Sequence, residues 1–319
     1  MGPLSIRHSD VSLIDLYEEG RLENQRKGGK RKGGYFAGGT CGCIVNIGGV
    51  EYTIGSHPLK ALARYLGYQA PVTRKSLNIF DSGFQNEWSW EQYLGNKFNF
   101  SFRDKHSIAG VDIFTEYDLM NFEVVGELKG IMSNNTATSV IGKWEPKTEN
   151  LIQAGLYSML SGKPANLVYT QGSNFGKLKA DKVEFKLGFD KGNLYFVSPD
   201  GTGTTTIITA KGIEDYYDDV KYLAENKVVT GFNRGHYDYK GDVGMDWDRS
   251  DHMMIVLDGA KEWDDYINRL EKIVNTSFVL SPKWGRGLKV VGYYLTNLDD
   301  CVIEEYETLK EAQEGFFNL

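Results

Sequence analysis

The sequence predicts an α/β fold, and three observations lead to this prediction. Two apolar-rich segments flank the polar, turn-like stretch "EYDLMN" at residues 116–121, as in an antiparallel hairpin. The segment that follows places apolar residues at helical spacing, and a buried strand, "NLVYT", comes after it. Strand, strand, helix and strand in this order indicate a layered α/β architecture.

Composition limits the class of protein. The chain has 319 residues, 41% of them hydrophobic, so it can bury a large core as one large or two ordinary domains. Its net charge of -7 argues against a uniformly basic nucleic-acid coat but leaves room for a local basic groove. The sequence contains neither a membrane-spanning apolar run nor a secretory h-region, so we expect a reducing cytoplasm.

The N-terminal segment is expected to form a short helix at residues 10–25 and then a mobile, Gly-rich basic arm at residues 26–43. This arm is either a solvated loop or a grip on phosphates, since clustered Lys and Arg supply sequence-independent nucleic-acid binding. Its glycines do not match a nucleotide-binding P-loop. Cys41, Cys43 and Cys301 are too few for a zinc or iron–sulfur site, so we expect reduced structural cysteines.

Two helices are predicted before the hairpin. The first begins near Ser56, a candidate N-cap, with Pro58 in its first turn. The second lies within residues 81–97 and carries Glu87 among aromatic residues. Considered alone, Glu87 is most simply a surface carboxylate on an amphipathic helix.

The predicted hairpin joins residues 108–114 to residues 122–131. With a turn centred between Leu119 and Met120, Asp112 falls opposite Glu127, and Glu127 and Lys129 share one face because strand side chains alternate. Burying such groups costs several kcal/mol unless they are paired or bind a metal. The sequence therefore leaves two alternatives, a salt bridge to Lys129 or a site for a hard divalent cation.

The next helix combines a core stripe with a polar pair. The stripe consists of Ile152, Leu156, Met159 and Leu160. Gly162 and Pro164 end the helix. Gln153 and Tyr157 are four residues apart, so they are expected to line the neighbouring face together.

Taken in order, four motifs resemble the PD-(D/E)XK nuclease superfamily and its RecB-like exonuclease branch, which includes phage and CRISPR-associated enzymes. "GFQNE" resembles the first-helix motif, "IAGVD" the first hairpin strand, "GELKG" the (D/E)xK motif and "QAGLY" the QxxxY helix motif. Val111 replaces the Pro of the superfamily name, and Glu87 stands where many members carry His. The four cysteines of the iron–sulfur members are absent from the sequence.

The resemblance implies a restriction-endonuclease-like core, with a central mixed sheet flanked by helices, and metal-dependent hydrolysis of DNA phosphodiesters. The implied ligands of one or two Mg²⁺ or Mn²⁺ ions are Glu87, Asp112, Glu127 and the carbonyl of Leu128. Lys129 is expected to position the attacking water. Gln153 and Tyr157 are expected to hold that lysine or the substrate strand.

Contacts with DNA are predicted on either side of these motifs. The candidate phosphate-binding residues are Arg103, Lys105, Lys143 and Lys147. For each of them, a solvated surface charge is an equally good interpretation. The candidate base-stacking residues, each also a candidate core residue, are Trp88, Trp90 and Trp144.

The chain is expected to divide into an N-terminal helix and arm (1–55), a nuclease core (56–180) and a C-terminal α/β extension packed on the core (181–319). In the extension we predict β-hairpins after residue 182, a helix at "GIEDYYDDVKYLAENK", a strand at "DHMMIVLDG", a helix at "AKEWDDYINRLEKIVN", a strand at "LKVVGYYLT" and a terminal helix. A polar loop is predicted at residues 234–252.

The predicted function is a metal-dependent DNA exonuclease acting in recombination, repair or phage DNA metabolism. Its predicted partner is DNA, with a recombination or single-strand-binding protein as a further candidate. Two alternatives stay open at this point. They are an endonuclease of the same fold and a non-catalytic nucleic-acid-binding module.

Overall fold

The computed structural model describes residues 28–171, 180–229, 251–285 and 289–319. The helix predicted at 10–25 and nearly all of the loop predicted at 234–252 lie outside these residues. The strands are β1 (Gly29–Lys30), β2 (Tyr35–Ala37), β3 (Gly42–Ile47), β4 (Val50–Gly55), β5 (Tyr68–Gln69), β6 (Asn99–Ile108), β7 (Val111–Met120), β8 (Val125–Ile131), β9 (Ala165–Gln171), β10 (Lys182–Asp190), β11 (Asn193–Val197), β12 (Gly203–Thr209), β13 (Phe278–Trp284), β14 (Val290–Asn297) and β15 (Val302–Tyr306). The helices are α1 (Pro58–Tyr65), α2 (Arg74–Leu94), α3 (Asn134–Ala137), α4 (Thr148–Ser161), α5 (Ala210–Asn226), α6 (His252–Leu257), α7 (Trp263–Val274) and α8 (Leu309–Phe317), with a 3₁₀ turn at Gly95–Lys97 and a π-helical turn at Thr138–Gly142.

The described residues form a central eight-stranded mixed sheet in the order β12-β11-β10-β9-β8-β7-β2, with β6 also paired to β7. The β8–β9 and β2–β7 pairs are parallel, and the other neighbours are antiparallel. Helices pack against this sheet, and further hairpins surround it. The predicted α/β class with a central mixed sheet is therefore confirmed.

Helices α4 and α2 carry three of the predicted site residues, Gln153 and Tyr157 on α4 and Glu87 on α2. Helix α4 connects the parallel strands β8 and β9, and its predicted stripe buries Ile152 and Leu156 completely. It ends at Gly162, whose φ of 65° is the left-handed conformation that glycine tolerates best. Helix α2 packs Trp90 and Leu94 against a separate apolar cluster on the sheet.

The basic, Gly-rich segment is folded where the structure describes it. Strand β2 joins the edge of β7, and the β3–β4 hairpin packs against α5. Gly42 is required there because a β-carbon would collide with the ring of Tyr216. The prediction of a mobile arm is therefore wrong for residues 28–43. Also, the N-cap of α1 is His57 instead of Ser56, because its imidazole accepts the N–H of Leu59.

The C-terminal half matches most of the sequence-based predictions. The predicted hairpins form β10–β12, which extend the central sheet beyond residue 180, and α5, α7, β14 and α8 are confirmed. The segment predicted as a strand at "DHMMIVLDG" is instead helix α6, whose N-cap Asp251 accepts the N–H of Met254. No helix in the described part of the chain is long and apolar enough to cross a membrane. The domain boundaries stay a prediction.

Candidate active site

The turn between β7 and β8 lies further along the chain than predicted. Leu119 pairs with Gly126 and Met120 with Val125. The side chain of Asn121 closes the turn by accepting the N–H groups of Glu123 and Val124, each at 2.9 Å. Extending this register places Asp118, not Asp112, opposite Glu127.

Asp112 lies elsewhere in the sheet. It pairs with Ser107 on β6 and with Tyr35 on β2, and its carboxylate is 2.7 Å from the Nζ of Lys105. Six residues separate it from Asp118, which is about 20 Å along an extended strand. The prediction that Asp112 stands opposite Glu127 is therefore wrong, because the strand continues through Met120 before it turns.

Strands β7 and β8 separate immediately beyond the turn. On this edge of β7, β2 pairs as far as Phe114 and β8 only from Leu119, and no other described strand pairs with the stretch between them. Side chains occupy the gap instead. The carboxylate of Asp118 accepts the N–H of Leu128 at 2.6 Å, and the hydroxyl of Tyr157 donates to the carbonyl of Glu116 at 3.1 Å.

Glu127 and Lys129 form a buried ion pair at the separation of the strands. Glu127 is 2% exposed, whereas 29% of the Lys129 side chain is accessible. One carboxylate oxygen, Oε1, contacts the Nζ of Lys129, while Oε2 is buried without a hydrogen-bond partner among the described residues. An unsatisfied buried oxygen is costly, so it requires an explanation.

Two further carboxyl groups face this pair. Burial raises the pKa of Glu87 on α2 to about 7, and the charge of Asp118 raises it further against the opposing effect of Lys129. Burial, followed by the charge of Glu127, raises the pKa of Asp118 well above its usual range. Three acids thus interact electrostatically with one ammonium group, and Glu127 is the one in direct contact with it.

The pKa values of the two members of the ion pair are also shifted, with burial as the largest cause in each. Burial raises the pKa of Glu127, although Lys129 opposes the change. Burial alone would lower the pKa of Lys129, but the neighbouring Glu127 reverses that effect and raises it. The whole cluster therefore attracts positive charge, either protons or a cation.

Gln153 and Tyr157 border the same cluster from α4. The Nε2 of Gln153 donates to the hydroxyl of Tyr157 at 3.2 Å, which confirms that they share a face. Tyr157 packs edge-on against Tyr117, with ring centroids 4.9 Å apart. Gly38 allows this packing, because a β-carbon there would be 2.8 Å from the Tyr157 ring.

The residues fit a hard cation by chemistry but do not already enclose one. Within residues 28–171, 180–229, 251–285 and 289–319, no three His, Cys, Asp or Glu side chains are grouped closely enough to hold a metal ion. The donors available are carboxylate oxygens, which Mg²⁺ and Mn²⁺ prefer. The Oε2 of Glu127, without a partner among the residues described, is one of them. Binding an ion would require these carboxylates to move closer together. The role of the Leu128 carbonyl stays a prediction.

The predicted phosphate-binding residues have different surroundings. Arg103 donates to both oxygens of Glu116, and Lys105 pairs with Asp112, so each already has an acidic partner. Lys143 is exposed at the end of the π-helical turn. Lys147, at the N-cap of α4, has its Nζ 3.9 Å from Glu149. All four roles in DNA binding stay predictions.

The three tryptophans also differ. Trp90 is packed in the apolar cluster under α2 and donates its Nε1–H to Thr170 at 3.1 Å, so it is a core residue. Trp144 is partly exposed, just before α4. Trp88 is largely exposed on α2.

Asp118 is the site residue that the motif-based reasoning missed. The signal for it was present in the sequence, because alternate residues of β7 from Val111 to Leu119 are apolar or Thr and all of them are buried. This alternation indicates a strand continuing to Met120, with Asn121 as a turn former. Asp118 then becomes the acid next to the turn.

Comparisons with known proteins give little further information. No family model matches the chain, and no curated protein matches it. An alkaline exonuclease (LHK-Exo) from Laribacter hongkongensis is 13% identical, covering 53% of this chain and 78% of that one with a TM-score of 0.33. The structure of SSO0001 is 14% identical, covering 67% and 84%, also with a TM-score of 0.33. Both TM-scores are too low to indicate a function for this chain.

Proposed function

We propose that the chain is a divalent-metal-dependent DNA exonuclease whose metal ligands are Glu87, Asp118 and Glu127, with the carbonyl of Leu128. The observation that carries the proposal is that three carboxyl groups with raised pKa values interact electrostatically with one another and with a single lysine. The Oε2 of Glu127, which has no hydrogen-bond partner in the described part of the chain, supports it. Asp118 takes the place that Asp112 had in the sequence-based hypothesis.

A purely structural ion pair explains less of this arrangement. Lys129 is sufficient to neutralise Glu127, so a salt bridge accounts for these two residues. It does not account for Asp118 and Glu87, which add negative charge and raise the electrostatic cost of the cluster. A divalent cation would offset that cost, as it does where paired carboxylates serve catalysis.

When bound, the ion supplies a Lewis acid that polarises a phosphate oxygen and lowers the pKa of bound water. The residues of the chain would then position the reactants. Lys129 is accessible enough to donate a hydrogen bond to the attacking water or to the phosphate, once Glu127 turns toward the ion. Tyr157 and Gln153 would hold the open edge of β7, and with it Asp118, in place.

The resemblance of "GELKG" and "QAGLY" to RecB-like exonucleases supports DNA as the substrate and its ends as the point of attack. Roles in recombination, repair or phage DNA metabolism, and a recombination or single-strand-binding partner, belong to the same proposal. Lys143 and Lys147 are proposed to contact phosphates. Arg103 and Lys105 would first have to release their acidic partners.

The proposal can be tested with an end-labelled linear duplex and a closed circular plasmid, each incubated with Mg²⁺ or Mn²⁺ and with EDTA. Wild type is compared with Lys129→Ala and with Lys310→Ala, which removes an exposed lysine of α8. We expect metal-dependent loss of the linear DNA alone, abolished only by Lys129→Ala. Metal-dependent nicking of the circle would identify an endonuclease instead. Binding of DNA without any cleavage would replace the catalytic proposal with the binding-module alternative.

A further inference from the structure

Helix α2, which carries Glu87, also exposes an aromatic stripe. Phe80, Phe84 and Trp88 follow one another at intervals of four residues, so they lie on one face of the helix. Phe84 is 63% exposed and Trp88 is 60% exposed. Exposed aromatic side chains grouped in this way mark a binding surface more often than single exposed apolar residues do.

The position of Glu87 connects this stripe to the proposed site. At 3.6 residues per turn, Glu87 projects about 20° from Leu94 and about 60° from Phe84 around the helix axis. Leu94 packs on the sheet with Trp90, so Glu87 lies at the border between the buried side of α2 and the stripe. A ligand that reaches Glu87 from the side of the stripe therefore meets Phe84 first, and Trp88, which projects about 100° from Glu87, extends the same surface.

We infer that Phe84 and Trp88 form a stacking platform for unpaired bases of a nucleic-acid strand whose phosphate enters the acidic cluster. This inference rests on the proposed nuclease function and makes it more specific. The faces of aromatic rings stack on any base, which supplies affinity without sequence preference. Bases within a duplex are already stacked on their neighbours, so the platform selects a single strand or a frayed end.

A nucleic-acid strand fits this surface better than a protein partner does. Glu87, on the same helix as the stripe, interacts electrostatically with Asp118 and Lys129, and a phosphate group with its metal ion would balance the charge of these groups. A protein packed on Phe84 and Trp88 would instead cover the approach to Glu87. The occupant most compatible with access to Glu87 is therefore the substrate strand.

The test measures binding of a fluorescein-labelled oligo(dT) to the full-length protein in Ca²⁺, a hard cation that takes oxygen ligands and so replaces Mg²⁺ beside the phosphate, and a gel verifies that the oligonucleotide stays intact. We expect Phe84→Ala and Trp88→Ala each to weaken binding about tenfold, because an aromatic ring contributes this much for each stacked base. Trp88→Phe should retain most of the affinity. Tyr93→Ala is the matched control, since Tyr93 is 89% exposed on the same helix but projects about 140° away from Trp88.

The outcomes separate this inference from the proposed function. If wild type cleaves DNA but neither alanine variant loses oligo(dT) affinity, the platform is wrong and the nuclease proposal stands. If wild type cleaves nothing yet Trp88→Ala loses affinity, the platform stands and the nuclease proposal fails. Sedimentation velocity adds a third outcome. A dimer that Trp88→Ala dissociates, without loss of oligo(dT) affinity, would show that a second copy covers the stripe and would overturn the inference.

Discussion

Each half of strand β7 contains an aspartate, and the two aspartates differ in their neighbouring strands and in the charged groups near them. Asp112, in the first half, has strands on both sides and forms an ion pair with Lys105, with the two side chains 45% and 54% exposed. Asp118, in the second half, lies where the neighbouring strand departs, and it shares Lys129 with Glu127 and Glu87. Both aspartates belong to one alternating strand, so the difference comes from their neighbours.

The comparison shows that charge balance, more than residue type, distinguishes a structural carboxylate from a candidate ligand. Around Asp112, one acid meets one exposed cation, an arrangement that contributes little to stability. Around Asp118, three acids share one ammonium group, and a buried oxygen has no partner among the described residues. Only the second arrangement leaves a charge deficit for a divalent cation.

The largest expected effect is on cleavage. We expect Asp118→Asn to lower the rate of DNA cleavage by about 100-fold or more, because one carboxylate of the proposed metal site is lost. Asp112→Asn should change it less than about twofold, since only an exposed ion pair is affected. Degradation of linear duplex, timed at saturating Mg²⁺, compares the two variants. Equal losses in both would remove the distinction between the two halves of β7.

The next largest effect is expected on the free energy of unfolding, where variants of Lys129 and Lys105 should differ. Lys129→Met leaves Glu127 buried without its cation and should lower the free energy of unfolding by about 2 to 3 kcal/mol, less than for a fully buried pair because Lys129 is partly accessible. Lys105→Met should cost less than about 1 kcal/mol. Urea unfolding at pH 8 in EDTA measures both. A similar small loss for the two variants would mean that the buried pair contributes no more than the exposed one.

A smaller effect is expected from pH. The pKa of Glu87 is about 7 in the folded protein and lower in the unfolded chain, so the folded state holds the extra proton between these values. Its contribution to stability is therefore present at low pH and is lost as the pH rises toward 7. Asp118 and Glu127 shift in the same direction.

Metal-free wild type should consequently become less stable from pH 5 to pH 8, and Glu87→Gln should reduce this slope. Urea unfolding at four pH values in EDTA provides the measurement. Glu184→Gln, which changes an exposed glutamate on β10, is the matched control. A slope that Glu87→Gln leaves unchanged would contradict the placement of Glu87 in the cluster.

Local patterns in the sequence were enough to predict one helix and two of the side-chain pairs at the candidate site. Helix α4 follows from its apolar spacing and from Gly162, and the shared face of Gln153 and Tyr157 follows from helical geometry. The alternation that places Glu127 and Lys129 on one face also holds. These features depend on residues close together in the chain, so the sequence carries them directly.

The sequence-based predictions were wrong where the structure depends on residues distant in the chain, or where a pattern fits more than one kind of structure. The polar letters of residues 116–121 suggested a turn, although the buried alternation of β7 continues through Leu119. The apolar run of α6 is too short for its period to separate helix from strand, and the N-cap Asp251 decides for helix. The strand separation beside Asp118 depends on where β2 and β8 pair, which no local pattern records.

Binding of Mn²⁺ to the metal-free protein at pH 8, measured by isothermal titration calorimetry, tests the central claim most directly. We predict that wild type and Asp112→Asn bind one or two ions with similar affinity, and that Glu127→Gln binds none or binds them at least about tenfold more weakly. Absence of binding to wild type, or equal binding by Glu127→Gln, would contradict the claim that the second half of β7 forms a metal centre.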